Sequence, residues 1–440
     1  MTLQNRDFEY IMMFYYGSTV KRRENMKKLL HTPEGVRDIY NVECGKKRAL
    51  EERILKTFRL YGYHDIQTPM FEYFDVFRKE IGTVPSKDLY KFFDKEGNTL
   101  ALRPDITPSV ARAAATLFGE EQIPIRLCYT GNTFINHSSY QGRLREVTQM
   151  GVELIGDGSV EADAEMLALV TESLMSVGLK EFQVNVGNVD YFRSLIEDAN
   201  LDEDARERVI KLINNRNYFG VEDYLDKIQV KRSSREAFAA LSELTGGLEV
   251  LKKAKEIAPN SSGVLAVKRL ERIYNVLKVY GMEKFLTFDL SMTGGTYGYY
   301  TGIIFRGYTF GTGDAIVKGG RYDALLEKFG KESPSIGFAI VVDELMNAMN
   351  RQRQRIVFTR KNTLLLYDEG KAAEAIALAK DFRGKAKNVE LIKKDKKKIL
   401  EEYIEYGKKY YAGNLIYMKK GGEITMINLV SGEHKVINRV

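Results

Sequence analysis

The chain predicts an α+β fold: an antiparallel sheet with flanking helices, a helical insertion, and a small α/β unit near its C-terminal end. Three observations carry this expectation. Residues 126–156 hold two runs of alternating apolar residues about a polar middle, which reads as a long antiparallel hairpin. Residues 189–283 show amphipathic helical spacing without a convincing strand, and strand-type residues return directly after them. From residue 362 onward the pattern is β-α-β-α-β-β, the signature of a further α/β unit.

Length and composition limit the alternatives. At 440 residues the chain exceeds one compact core and predicts several domains. No apolar run is long enough to cross a bilayer, and the first residues have the wrong order of charge and hydrophobicity for a secretory signal. Met26 offers an alternative start, which would make residues 1–30 an N-terminal extension. The two cysteines, Cys44 and Cys128, have no metal-ligand spacing, so neither a metal site nor a disulfide framework is expected, and a cytoplasmic location fits. A net charge of +7 permits anionic partners without requiring them.

Taken in order, HTPEGVRDIY turns at Pro33 and Gly35, and a helix runs from about Val42 to Tyr61 with Ala49, Ile54, Leu55 and Phe58 inward, ending at Gly62. YHDIQTPMFEYFDVF reads as one strand. DLYKFFDKEGNTLALRPD reads as a hairpin closed at Lys95 to Asn98, and ITPSVARAAATLF as a helix opened by Thr107 and Pro108. After the long hairpin comes a helix over Ser159 to Val177, with carboxylates in its first turns. KEFQVNVGN, FLTFDLSM, YYTGIIFRGYTFGTGDAIVKGGRYD and IGFAIVV supply further strands. GDGS at Gly156 to Ser159 and GTGD at Gly311 to Asp314 are glycine turns. The expected domains are therefore a core over 31–188 and 284–350, a helical insertion at 189–283, a linker at 351–361 and a small unit at 362–440.

In the long hairpin, alternation places Thr148 and Met150 on one face, and Gln149, Gly151 and Glu153 on the other. That second face is either the floor of a small-molecule site or an ordinary solvated surface. His137 has no second ligand at metal spacing and reads as a loop histidine without special chemistry. The run Lys393, Lys394, Lys396, Lys397 and Lys398 reads as a solvated helix start; no stacking aromatics interleave it, so nucleic-acid contact is not expected.

Three stretches, LALRPDITPSVAR, GRLREVTQMGVELIG and YYTGIIFRGY with KGGRYDALLEKFG and IGFAI, together resemble histidyl-tRNA synthetase and its relatives. The resemblance covers most of Thr32 to Met349 and implies the class II aminoacyl-tRNA synthetase sheet, with the C-terminal unit similar to a reduced anticodon-binding domain. It also implies roles. Asp105, Thr107 and Gln149 match the groups that hold an α-amino nitrogen. Glu153 and Tyr300, the latter beside Tyr299, match those that meet the two imidazole nitrogens.

The groups that handle ATP do not match. Where the family carries Phe-Arg-x-Glu, this chain has Phe134, Ile135, Asn136 and His137. The family's Gly-Leu-Glu-Arg is replaced by Val341, Val342, Asp343 and Glu344, a charge reversal. Its Arg-Gly-Leu-Asp-Tyr-Tyr loop becomes Gly295, Thr296, Tyr297, Gly298, Tyr299 and Tyr300. Each lost preorganised charge costs about two or three orders of magnitude in rate, so adenylation is not expected; Arg143 and Arg145 remain as candidate anion contacts. A kept amino-acid pocket without ATP chemistry resembles the regulatory subunits of ATP phosphoribosyltransferase. That resemblance implies a non-catalytic chain without catalytic residues or cofactor. It implies a short-form catalytic subunit as partner, a homodimer within a larger hetero-oligomer, feedback inhibition by free histidine, and no membrane. An active histidyl-tRNA synthetase and a tRNA-binding pseudo-synthetase are the alternative readings.

Overall fold

The computed structural model describes residues 30–77, 84–119, 124–137, 143–294, 299–358 and 362–437. The expected N-terminal extension up to residue 29 and the Gly295 to Gly298 part of the glycine-rich loop lie outside the described residues. One compact unit takes the chain up to Asp38 and then Leu50–Ile356; the other takes Ile39–Ala49 and the chain from Val357 on.

Helix α1 (Val42–Leu60), which belongs to the larger unit from Leu50 on, buries Leu50, Ile54, Thr57 and Phe58 along one stripe. Gly62, at φ +81°, follows its end. The segment after it departs from the single strand its sequence suggests. It forms β1 (His64–Asp65), a break, then β2 (Phe71–Tyr73) in a separate sheet. The break has a cause: Pro69 lacks an N–H, and Arg103 Nη1 takes the carbonyls of Thr68 and Pro69 at 2.9 and 3.2 Å. Strands β3 (Lys91–Phe93) and β4 (Thr99–Leu102) complete the small sheet β2-β4-β3. Helix α2 (Thr107–Leu117) leads into the long hairpin, β5 (Ile125–Phe134) and β6 (Glu146–Ile155), paired over their full length.

Helix α3 (Val160–Ser176) starts on Ser159, whose hydroxyl accepts from the Ala162 N–H, and β7 (Phe182–Asn188) follows. The insertion then supplies helices α4 (Val189–Asp198), α5 (Glu203–Asn214), α6 (Tyr218–Lys227) and α7 (Arg232–Ala240). A two-residue strand, β8 (Thr245–Gly246), comes before helices α8 (Leu248–Ile257) and α9 (Ser261–Tyr280). Strands β9 (Leu286–Asp289), β10 (Ile303–Thr309), β11 (Val317–Arg321) and β12 (Ser335–Val341) close the sheet, and helix α10 (Val342–Arg351) follows without a break. The nine strands run β1-β5-β6-β12-β11-β10-β7-β9-β8. Pairing is antiparallel except at β1–β5 and β7–β9. Where the sequence shows no strand in the insertion, β8 pairs with β9 and extends the sheet. Two residues are too few for alternation to be visible.

Each sheet face has its own core. Met150, Val152, Leu154, Phe305, Phe338 and Ile340 pack with α3 and α9 on one side. On the other, Leu127, Tyr129 and Ile304 pack with α2, Tyr299, Tyr300 and Tyr322. The helical side is tied by a charged group with no exposure, Asp163 of α3. Arg321 at the end of β11 donates to its Oδ1 from Nε at 3.0 Å and Nη2 at 2.5 Å, and Arg269 of α9 donates to Oδ2 at 2.6 Å.

The smaller unit has strand order β14-β13-β15-β16-β17, made of β13 (Asn362–Tyr367), β14 (Asn388–Lys393), β15 (Asn414–Met418), β16 (Ile424–Asn428) and β17 (His434–Ile437). The first three are parallel, joined through α11 (Ala372–Gly384) and α12 (Leu400–Lys409). β17 adds a strand to the sequence pattern. The lysine run precedes α12 rather than starting it: the helix begins after Ile399, whose N–H donates to the Glu402 carboxylate at 2.9 Å. Residues 39–49 belong to this unit, where a Cβ at Gly45 would lie 3.1 Å from the Phe358 ring.

Removing one partner from a buried ion group leaves the other charge uncompensated, at about 3–5 kcal/mol. Asp163→Ala should therefore lower the urea midpoint of the larger unit's unfolding by far more than Arg232→Ala, which removes an exposed ion pair to Glu236. Equal shifts for the two variants would contradict the assignment of Asp163 as the tie.

Candidate functional site

Sheet register brings the site together. Adjacent strands place Leu127, Glu153, Gly337 and Gly320 in one cross-strand row, and Tyr129, Gly151, Ala339 and Lys318 in the next. Gln149, with Gly131 and Val341 beside it, begins the row after that. Two glycines are required by close approach rather than by backbone angle. A Cβ at Gly337 would fall 1.7 Å from Glu153 Oε2, and one at Gly320 would fall 2.7 Å from the Tyr300 ring. Over this floor stands the N-terminal turn of α2, which carries Asp105 and Thr107.

All six residues singled out from the sequence, Asp105, Thr107, Gln149, Glu153, Tyr299 and Tyr300, line one cleft. They also bond to one another. Thr107 Oγ1 donates to Glu153 Oε1 at 2.8 Å, and the Tyr299 hydroxyl donates to Asp105 Oδ2 at 3.0 Å. Asp105 Oδ1 takes the Ile106 N–H at 2.8 Å. Two further groups were not legible as site residues: Tyr129 and Tyr322 donate to Glu153 at 3.2 and 2.5 Å. Alternation in β5 could have found Tyr129, since it pairs with Gly151 on the polar face. Lys318, which also lines the cleft, had no signal beyond its place before the glycine pair.

The chain segment GGRYD now has a role at each position. Gly319 makes room for the Phe305 and Phe338 side chains, and Gly320 for Tyr300. Arg321 reaches Asp163 on the helical side, while Tyr322 reaches Glu153 in the cleft. Asp323 accepts the Ser335 N–H at 2.9 Å, fixing the start of β12.

Burial governs the charges. It pushes the Glu153 carboxyl up to about 8 against the opposing pull of Tyr322, Thr107 and Tyr129, with Asp105 adding to the rise. Burial raises Asp105 as well, opposed by the Tyr299 hydroxyl. Gln149, only 8 % exposed, has its Oε1 buried and without a hydrogen-bond partner among the described residues. A buried acceptor left unpaired costs about 1–3 kcal/mol. The cleft therefore offers carboxyl, amide and hydroxyl groups to a ligand that brings donors.

Beside it lies a larger cavity that shares Gln149, Lys318 and Val341. His137, Arg143 and Arg145 line it, and so do Asp88, Asp314 and Glu344. Arg145 Nη2 lies 3.5 Å from Glu34. Burial, with Arg143 nearby, lowers the His137 imidazole below its usual range. Asp343 turns inward and accepts the Thr148 N–H at 2.7 Å, joining α10 to the hairpin. The cavity thus sets three acids, Asp88, Asp314 and Glu344, against the cations Arg143, Arg145 and Lys318. In the smaller unit, Lys393, Lys394, Lys396 and Lys397 line a cleft at the carboxyl ends of the parallel strands, and Lys393 and Lys396 pair with Glu369.

The family model for histidyl-tRNA synthetase matches residues 35–345. Fold and site thus define a protein of the histidyl-tRNA synthetase class. A narrower placement comes from its relatives. The chain is 38% identical over 404 residues to the ATP phosphoribosyltransferase regulatory subunit of Ruminiclostridium cellulolyticum, covering 91% of this chain and 95% of that one. It is 37% identical to the protein of the same name from Acetivibrio thermocellus, with 82% and 86% covered. A solved ATP phosphoribosyltransferase regulatory subunit/histidyl-tRNA synthetase from Bacillus halodurans superposes with a TM-score of 0.79 at 30% identity, covering 88% of this chain and 98% of that one. Histidyl-tRNA synthetase from Nostoc shares the fold, with a TM-score of 0.76 at 20% identity over 93% and 96% of the two chains. The chain belongs to the family of ATP phosphoribosyltransferase regulatory subunits, the non-catalytic members of an enzyme complex.

The raised carboxyl gives a pH test. A carboxyl whose folded pKa lies above its unfolded value binds more protons when folded, so stability falls as pH rises from about 4.5 through about 8. Glu153→Gln should flatten that decline in a series of thermal unfolding curves, leaving the part that Asp105 contributes with the same sign. An unchanged slope would mean that Glu153 is ionised throughout.

Proposed function

We propose that this chain activates a short-form ATP phosphoribosyltransferase catalytic subunit in the cytoplasm and makes it sensitive to free histidine held in the cleft. The observation that carries the reading is Gln149, whose buried Oε1 lacks a donor in a cleft that also presents Asp105. An α-ammonium group supplies such a donor to both. Glu153 and the tyrosines around it suit an imidazole, which needs one partner for each ring nitrogen. The relatives, regulatory subunits of ATP phosphoribosyltransferase, point to the enzyme complex. The neighbouring cavity, with its acids, supports a site that holds an amino acid without activating it. In this reading the chain works as a homodimer within a larger hetero-oligomer, and ligand binding shifts the complex between states of different activity.

Mixing the purified chain with a short catalytic subunit from the same genome should give co-elution and phosphoribosyl transfer that histidine inhibits, whereas the chain alone should form no product. Absence of both co-elution and activation would refute the proposal. Gln149→Leu should keep activation but weaken inhibition by about tenfold or more, the worth of a hydrogen bond to a charged group. Inhibition curves of the mixed complex measure this directly.

A further inference from the structure

The cleft has acceptors for an ammonium and partners for an imidazole, yet the arginines that the synthetase family aims at a substrate carboxylate are replaced at Ile135 and Gly295. We infer that Lys318 takes over that task and sets the specificity of the site for an α-amino acid carrying a free carboxylate. The inference rests on the reading of the cleft as a histidine site.

Lys318 is the one cation among the described residues lining the cleft, and it stands where the cleft opens into the larger cavity, lining both. Register fixes its address. It pairs with Ala339, which pairs with Gly151, so two small residues separate the lysine from Tyr129 across the floor. Two strand spacings, about 10 Å, lie between the Lys318 and Gly151 backbones. The Tyr129 phenol lies over Gly151, so the open part of the floor is the part that Ala339, Lys318 and Gln149 line. The ammonium is held rather than free: Asp314, four residues earlier, lies 3.1 Å from Nζ, with the lysine side chain 34% and the aspartate 47% exposed. Asp314 lines only the larger cavity, so it steadies the lysine from the open side while leaving donors for the cleft. Lysine has three N–H donors, and a carboxylate accepting one of them forms a charge-assisted bond. Arg143 and Arg145 line the larger cavity alone and do not border the amino-acid cleft. A ligand bound with its ammonium at Gln149 and Asp105, and its ring at Glu153, would direct its carboxylate toward the cavity mouth, where Lys318 is.

The test is a cycle of two ligands and two proteins, read by titration calorimetry on the full-length chain. Histidine and histidinol share the ammonium and the ring, and differ in that histidinol has a hydroxymethyl group instead of the carboxylate. Wild type should bind histidine about tenfold or more tighter than histidinol. Lys318→Met should reduce histidine affinity to the level of histidinol, leave histidinol within twofold, and Lys318→Arg should restore most of the difference. If Lys318→Met weakens both ligands equally, or neither, while wild type prefers histidine, this inference is overturned and the histidine reading stands. If wild type binds neither ligand, the histidine reading fails and takes this inference with it. Circular dichroism of Lys318→Met guards against misfolding, and Lys328→Met, an exposed lysine outside the cleft, should behave as wild type.

Discussion

Burial of the Glu153 carboxyl is the constraint around which the cleft is arranged. Three hydroxyls from three elements, Thr107 at the start of α2, Tyr129 on β5 and Tyr322 after β11, converge on one side chain with 1% exposure. A carboxyl in that position must be satisfied or it destabilises the fold. Its satisfaction fixes the helix start and the sheet face relative to each other. The next residue along the chain from Tyr322 toward the N-terminus, Arg321, meets the fully buried Asp163 on the opposite face. Two adjacent side chains thus tie both layers to the same strand end.

The long hairpin, the helices and the alternation that points Gln149 and Glu153 together were legible, because they depend on local periodicity and nothing else. The break at Pro69 was not, since it depends on Arg103 taking carbonyls that an unbroken strand would have used. β8 escaped notice because two residues carry no period. The six candidate site residues came from resemblance to a family, and the structure places them around one cleft; their ligand is a matter of proposal. Tyr322 and Lys318 lay inside a quoted stretch without roles, for their meaning is set by register across β11, β12 and β6, which is long-range information.

The replaced positions show how an active site loses one chemistry and keeps its frame. Asp343 occupies part of a segment where the family closes on the triphosphate, yet here it accepts the Thr148 N–H and secures α10 to the hairpin. Asp343 stands where the family pattern also has an acid; the reversal of charge falls on the next residue, Glu344, which lines the larger cavity. Asp88, Asp314 and Glu344, set among Arg143, Arg145 and Lys318, give the larger cavity a mixed charge rather than a cationic one.

The smaller unit is assembled from the two ends of the chain. Ile39–Ala49 belong with residues from Val357 on, and Gly45 admits the Phe358 ring. A ribosome makes these pieces at opposite times, so the early segment waits for nearly the whole chain before its neighbours exist. Until those neighbours are made, the first turns of α1 lack the packing partners they have in the folded chain.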